Sequence, residues 1–121
     1  MMNYATLKNW MPAWGADIPL AIHYKFRLKS DLINFIRSPK KREVFTSDIP
    51  FCVWGEIYGD SRLDENGNKA FEDGSGVLTS PVKEIRRVEV KEGEPSQFDV
   101  YTRSSVYRVS GDDLNENWVK G

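Results

Sequence analysis

Apolar and polar positions alternate along much of the chain, and that period of two predicts a fold built mainly from strands. Residues 4–10 alternate and read as a first strand ended by Met11-Pro12. Over residues 18–26 the alternation is strict. Ile18, Leu20, Ile22, Tyr24 and Phe26 fall on one side and Pro19, Ala21, His23 and Lys25 on the other, which predicts a second strand whose five apolar residues face the core. The period then changes. Ser30 reads as a helix N-cap, Asp31 suits the first turn, and Leu32, Phe35 and Ile36 form an i, i+3, i+4 stripe. Ser38-Pro39 stops this segment, so a helix of about two turns is expected, followed by the basic run Lys40-Lys41-Arg42.

Residues 51–58 are apolar on both sides (Phe51, Val53, Ile57; Cys52, Trp54, Tyr58), as a central strand would be, and Gly55 within them marks a bulge or a close backbone approach. Residues 59–76 are dense in Gly, Asp and Asn and carry two turn dipeptides, Asn66-Gly67 and Asp73-Gly74. Four further strands are expected at 77–80, 82–91, 98–103 and 106–109, with a turn at 92–95, and their spacing predicts an antiparallel meander. The last eleven residues can form one helical turn, capped by Asp112, with Leu114 and Trp118 on one side. The expected architecture is a single domain over residues 1–121 of the α+β class, mainly antiparallel β with one or two short helices.

Composition narrows the function. The 121 residues are 40% hydrophobic and 29% charged, a globular composition. A formal net charge of −1 excludes a protein held to nucleic acid mainly by an overall basic surface, although a local patch survives the average. No apolar run approaches the roughly 18 residues of a membrane span, and the first residues lack a signal-peptide core, so no membrane association and a reducing, cytoplasmic setting are expected. One cysteine, Cys52, excludes an intramolecular disulfide framework and a multi-cysteine zinc site, and a single histidine, His23, argues against a His-based metal site or a Ser-His-Asp triad. Fifteen aromatic residues are many for this length and serve either a bulky core or a stacking surface. Trp10, Trp14, Trp54 and Trp118, with Met11 and Leu20, exceed what so small a core buries, which predicts at least a dimer.

No catalytic or metal constellation emerges. Asp60, Asp64, Asn66 and Glu72 fail the EF-hand template, because its third position would be Arg62 and its twelfth Phe71. Residues 72–76 lack the Lys-Ser/Thr of a phosphate-binding loop. Cys52 is expected as a buried, inert thiol, His23 as a surface imidazole, and Asp112-Asp113 as helix-capping acids. No enzyme activity and no cofactor are expected. Arginines beside hydroxyls and rings remain: Tyr101, Arg103, Tyr107 and Arg108 in the last hairpin, and Thr79-Ser80 at the end of an earlier strand. Arginine grips phosphate bidentately and rings stack on bases, so this mixture fits a nucleotide, unless these residues simply cover the outer face of a sheet.

The segments VWGEIYGDSR, FEDGSGVLTSPVKEI and VYTRSSVYRV, between Val53 and Val109, resemble the phage anti-defence proteins that counter Thoeris immunity by sequestering a cyclic ADP-ribose signal. The resemblance covers about half the chain, and residues 63–70 depart from it as an insertion that lengthens the turn before Phe71. It implies a homo-oligomer in the cytoplasm of an infected bacterial host. Such a protein binds a small cyclic nucleotide, with cyclic oligonucleotides as a second ligand class, without cleaving it. The candidate ligand-binding residues are Phe71, Thr79, Ser80, Arg103, Tyr107 and Arg108; no metal is expected, and nucleic acid is not an expected partner. Two alternatives stand beside it. One is a phage inhibitor of a host defence protein, anti-CRISPR-like, presenting the acidic residues of 60–72; the other is a small nucleic-acid-binding β domain using Lys40-Lys41-Arg42 and Arg86-Arg87.

Overall fold

A computed structural model of the chain describes residues 3–38 and 42–121. Its elements are β1 (Asn3–Ala13), α1 (Ile22–Arg37), β2 (Val44–Phe45), β3 (Cys52–Tyr58), β4 (Gly76–Leu78), β5 (Glu84–Val88), β6 (Gln97–Tyr101) and β7 (Ser105–Ser110). A 3-10 turn (Gly111–Asp113) and a short helix α2 (Glu116–Lys120) end the chain. The strands form one seven-stranded sheet in the order β2-β5-β6-β7-β1-β3-β4. Every neighbouring pair is antiparallel except β1 and β7, which run parallel. This is the expected α+β fold, mainly antiparallel β with two helices. No helix among the described residues is long and apolar enough to cross a membrane.

β5, β6 and β7 form the expected meander, but β1 inserts between β7 and β3 and leaves β4 on the far edge. The sheet then curls on itself. Thr79 N–H donates to the Val53 carbonyl at 2.8 Å, Val82 N–H to Phe51 at 2.8 Å, and Lys83 N–H to Tyr101 at 2.7 Å. β4, the link after it and β5 therefore act as one bent strand, hydrogen-bonded first to β3 and then to β6. The backbone closes a ring through β1, β3, β4–β5, β6 and β7. Inside it, Leu7, Val53, Ile57, Ile85, Phe98, Val100 and Val109 are almost wholly buried. Gly55 makes the expected close approach: a Cβ there would lie 2.9 Å from Leu7 Cβ.

The helix differs most from expectation. It has sixteen residues and begins at Ile22, so residues 18–26 are not a strand and Ser30 lies mid-helix on an exposed position. Ile22, Tyr24 and Phe26, expected in the core, are 70%, 41% and 59% exposed. Leu28, Leu32, Phe35 and Ile36 are the buried residues, an i, i+4, i+7, i+8 stripe that begins one turn before the expected Leu32, Phe35, Ile36 stripe. Lys25, Arg27, Leu28 and Lys29 are good helix formers, and tertiary burial of the Leu28 stripe overrides the alternation before it. The expected stop holds, with Ser38 as the C-cap. Phe35 reaches Phe98 and Phe45 at ring-centroid separations of 5.4 and 5.5 Å, and so ties α1 to β6 and to the β2 edge.

β1 runs through Met11-Pro12 instead of ending there. It does so by a bulge: the register to β3 shifts between Lys8 and Met11, and Asn9 takes a positive φ of 51°. Asparagine tolerates this region because its short amide finds local partners. Here Asn9 N–H donates to Asp113 Oδ2 at 3.0 Å, and Asn9 Oδ1 accepts from Asn115 Nδ2 at 3.0 Å. Asn115, not Asp112, caps the last helix, accepting from Trp118 N–H at 3.0 Å. Leu114 and Trp118 pack against the margin of the core, as their spacing predicts. Trp10 is fully buried, with its indole N–H donated to the Ser110 carbonyl at 2.8 Å, while Trp14, Trp54 and Trp118 are half-buried. Of the four tryptophans, Trp10 alone lies wholly inside the core.

Candidate functional site

The six candidate residues do not converge. Alternation along β7 sends Tyr107 and Val109 inward and Val106 and Arg108 outward. Tyr107 is buried, and its hydroxyl lies 3.5 Å from Arg62 Nη2. Phe71 meets the same arginine, whose guanidinium sits 4.6 Å from the ring centroid. Phe71 and Tyr107 are thus brought together through Arg62. Thr79 is buried and acts in the fold: its hydroxyl accepts from Val53 N–H at 2.9 Å and donates to the Ser80 carbonyl at 2.8 Å. Ser80 is exposed beside it. Arg103 is exposed in the β6–β7 turn, and Arg108 lies on the outer face. Two strands, β1 and β3, separate β7 from β4, so the hairpins carrying these groups do not pair in sequence order.

Arg62 belongs to a buried ion pair that the turn-rich composition of residues 59–76 conceals. The Asp60 carboxylate is fully buried and takes Arg62 Nη2 at 2.7 Å and Asn3 Nδ2 at 2.9 Å. Burial alone would push the Asp60 carboxyl up, but the hydrogen bonds from the Arg62 side chain and backbone and from Asn3 outweigh it and hold the group below its ordinary value. Arg87 is likewise occupied. Its Nη2 donates to the carbonyls of Phe35 at 2.8 Å and Ser38 at 3.0 Å, closing the C-terminal end of α1. Its guanidinium also lies 5.3 and 4.9 Å from the Phe35 and Phe98 ring centroids. Of the basic pairs named from the sequence, Arg87 is committed to the fold, and Lys40 and Lys41 lie outside the described residues.

Cations and rings gather instead on the outer face of the curled sheet. Strand register places Tyr4 and Thr6 of β1, Tyr58 of β3, Arg86 of β5, Tyr101 of β6 and Arg108 of β7 on this side. Arg86 lies 5.5 Å from the Tyr101 ring and is paired to Glu84 at 2.6 Å. Lys8 lies 4.8 Å from the Tyr58 ring. Arg108 bonds Asp99 at 2.6 Å and Gln97 at 3.3 Å. Beside it is a hollow of about 140 Å³ lined by the apolar Leu7 and Val109 together with Thr6, Lys8, Gln97, Arg108, Ser110 and Asp113. That volume takes a phosphate-sized group; enclosing a whole small ligand needs several hundred Å³.

A larger cleft, about 440 Å³, opens between α1 and the C-terminal turns, with Ile33, Ile36, Leu114 and Val119 beside Arg37 and Glu116. It pairs an apolar floor with charges of both signs and offers one arginine, not the two cations a pyrophosphate calls for. Among the described residues, no three or more His, Cys, Asp or Glu side chains gather where they would hold a metal ion. Cys52 is buried, and desolvation pushes its thiol above the ordinary value, opposing the thiolate that nucleophilic chemistry requires. His23 is exposed, on the first turn of α1. No protein-family model matches the chain, and neither a curated protein nor a solved structure matches it.

Proposed function

We propose that the protein sequesters a small cyclic nucleotide of the cyclic ADP-ribose type and releases it chemically unchanged, as a phage anti-defence protein acting in the cytoplasm of an infected host. The observation that carries this reading is the outer sheet face. There Lys8, Arg86 and Arg108 supply cations for phosphates, and Tyr4, Tyr58 and Tyr101 supply rings for stacking. The motif resemblance between Val53 and Val109 supports the same ligand class. The hollow beside Arg108 accommodates one phosphate-sized group, so the rest of the ligand is covered by a second copy of the chain, and the binding unit is a homo-oligomer. Each arginine–phosphate pair or stacked ring contributes about 1–3 kcal/mol. Four such contacts, less the cost of immobilising the ligand, reach affinities of about nanomolar.

Calorimetric titration with cyclic ADP-ribose isomers and cyclic oligonucleotides tests the proposal. Tight binding, with intact ligand recovered after denaturation, is the expected result. Arg86→Gln and Arg108→Gln should each weaken binding at least tenfold while the melting temperature is retained. Absence of binding to every cyclic nucleotide rejects the sequestering function and favours an inhibitor that binds a protein, and recovery of a cleaved product rejects the non-catalytic mechanism.

A further inference from the structure

Charge is segregated along this chain. Residues 22–42 contain seven Lys or Arg and one acidic residue, a net +6, so the other hundred residues carry −7. Within α1, Lys25, Arg27, Lys29 and Arg37 face a single acid, Asp31. The same helix carries the largest run of exposed apolar side chains, Ile22, Tyr24 and Phe26, because its first turns extend beyond the stripe that packs on the sheet.

Three successive basic side chains lie over aromatic rings. Lys25 Nζ is 5.2 Å from the Trp14 ring, the Arg27 guanidinium 5.6 Å from Tyr24, and Lys29 Nζ 5.5 Å from Trp118. Arg27 also makes an exposed ion pair with Asp48 at 3.1 Å, and Lys29 donates to the Gly121 carbonyl. Such exposed pairs contribute little and exchange readily for another anion.

We infer that the N-terminal half of α1, with its basic side chains interleaved among exposed rings, is a docking surface for single-stranded nucleic acid. Single strands are bound by cations that track phosphates and by rings on which unpaired bases stack. The helix presents both, with Phe26 on one flank of its exposed arc and Tyr24 and Arg27 on the other, so a bound strand crosses the helix instead of following one stripe. A flat anionic membrane fits less well. The apolar face that would enter it, Leu28, Leu32, Phe35 and Ile36, is already buried in the core. Ile22 and Phe26, four residues apart, share one side of the helix, whereas Tyr24, 200° round from each, points elsewhere. The surface is independent of the outer sheet face, so either one can fail without the other.

The test is fluorescence anisotropy of labelled dT12 and rU12 against salt. Binding should weaken steeply as salt rises, and DNA and RNA arms of equal strength are expected where no 2′-hydroxyl is read. Lys25→Gln/Arg27→Gln should weaken binding at least tenfold and flatten the salt dependence. Phe26→Ala and Tyr24→Ala should each weaken it about fivefold or more with the salt slope unchanged. All these positions are at least partly exposed, so retained melting temperatures certify the fold. No salt-dependent binding of either oligonucleotide overturns the proposal. So does unchanged affinity in the folded double variant, or binding of phosphatidylserine vesicles in place of oligonucleotides.

Discussion

At the scale of single residues, two arginines illustrate how a surface residue type becomes structural. Arg62 neutralises a carboxylate with no solvent contact, and Arg87 satisfies two carbonyls at the end of a helix. Asp60→Asn should cost about 2 kcal/mol at neutral pH, because it leaves the guanidinium without its anion. The sign of the pH dependence follows from the direction of the shift. The folded value of Asp60 lies below the unfolded one, so its contribution is complete above pH ~4 and is lost as pH falls through the depressed folded value. Urea unfolding of both proteins between pH 2 and 7 should therefore show the gap between them closing in acid. Arg87→Met keeps an unbranched apolar stem but removes the donors and the guanidinium over Phe35 and Phe98. A loss of about 1–3 kcal/mol is expected in thermal melts.

At the scale of elements, α1 separates two kinds of apolar residue that look alike in the sequence. Ile22 is 70% exposed, so Ile22→Asp should change stability by no more than about 0.5 kcal/mol, and a negative charge in the first helical turn is favourable. Leu32 is fully buried, and Leu32→Ala should cost about 2–5 kcal/mol. Urea midpoints of the two variants check both expectations, and a large loss at Ile22 would return residues 18–26 to the core. The bulge in β1 is another element-scale device. Asn9→Gly should be tolerated, since glycine takes the positive φ without strain, whereas a β-branched residue there should not be.

At the scale of the whole molecule, closure of the sheet joins the two ends of the chain. β1 lies between β3 and β7, and the C-terminal turn is bonded to the bulge in β1. Unfolding should be cooperative across that ring. Amide exchange should find β1, β6 and β7 protected up to the global limit, with the first turns of α1 and residues 60–75 exchanging faster. The sequestering proposal also requires assembly. Light scattering at micromolar concentration should give a mass of at least twice 13.9 kDa, and a monomer would leave the hollow beside Arg108 without its second wall.

The amino-acid sequence determined the class of fold, because the run of β3 that is apolar on both sides, the period-two patterning over β5–β7 and the Leu32, Phe35, Ile36 stripe are local consequences of which face each element buries. It also determined the turns at Asn66-Gly67 and Asp73-Gly74, where glycine alone takes a positive φ without cost. The tertiary structure decided the rest. Residues 18–26 alternate as a strand would, yet the helix wins from Ile22 because Leu28 extends the stripe buried against the sheet, and that burial decides between two competing local patterns. The insertion of β1 between β7 and β3 decided which candidate residues meet. It set Thr79 apart from Tyr107, brought Asn3 of β1 to the buried Asp60 carboxylate, and placed Tyr107 within reach of Arg62. Pairing between strands distant in the chain is a property of the closed sheet, and the side chains it gathers are legible only once the sheet has closed.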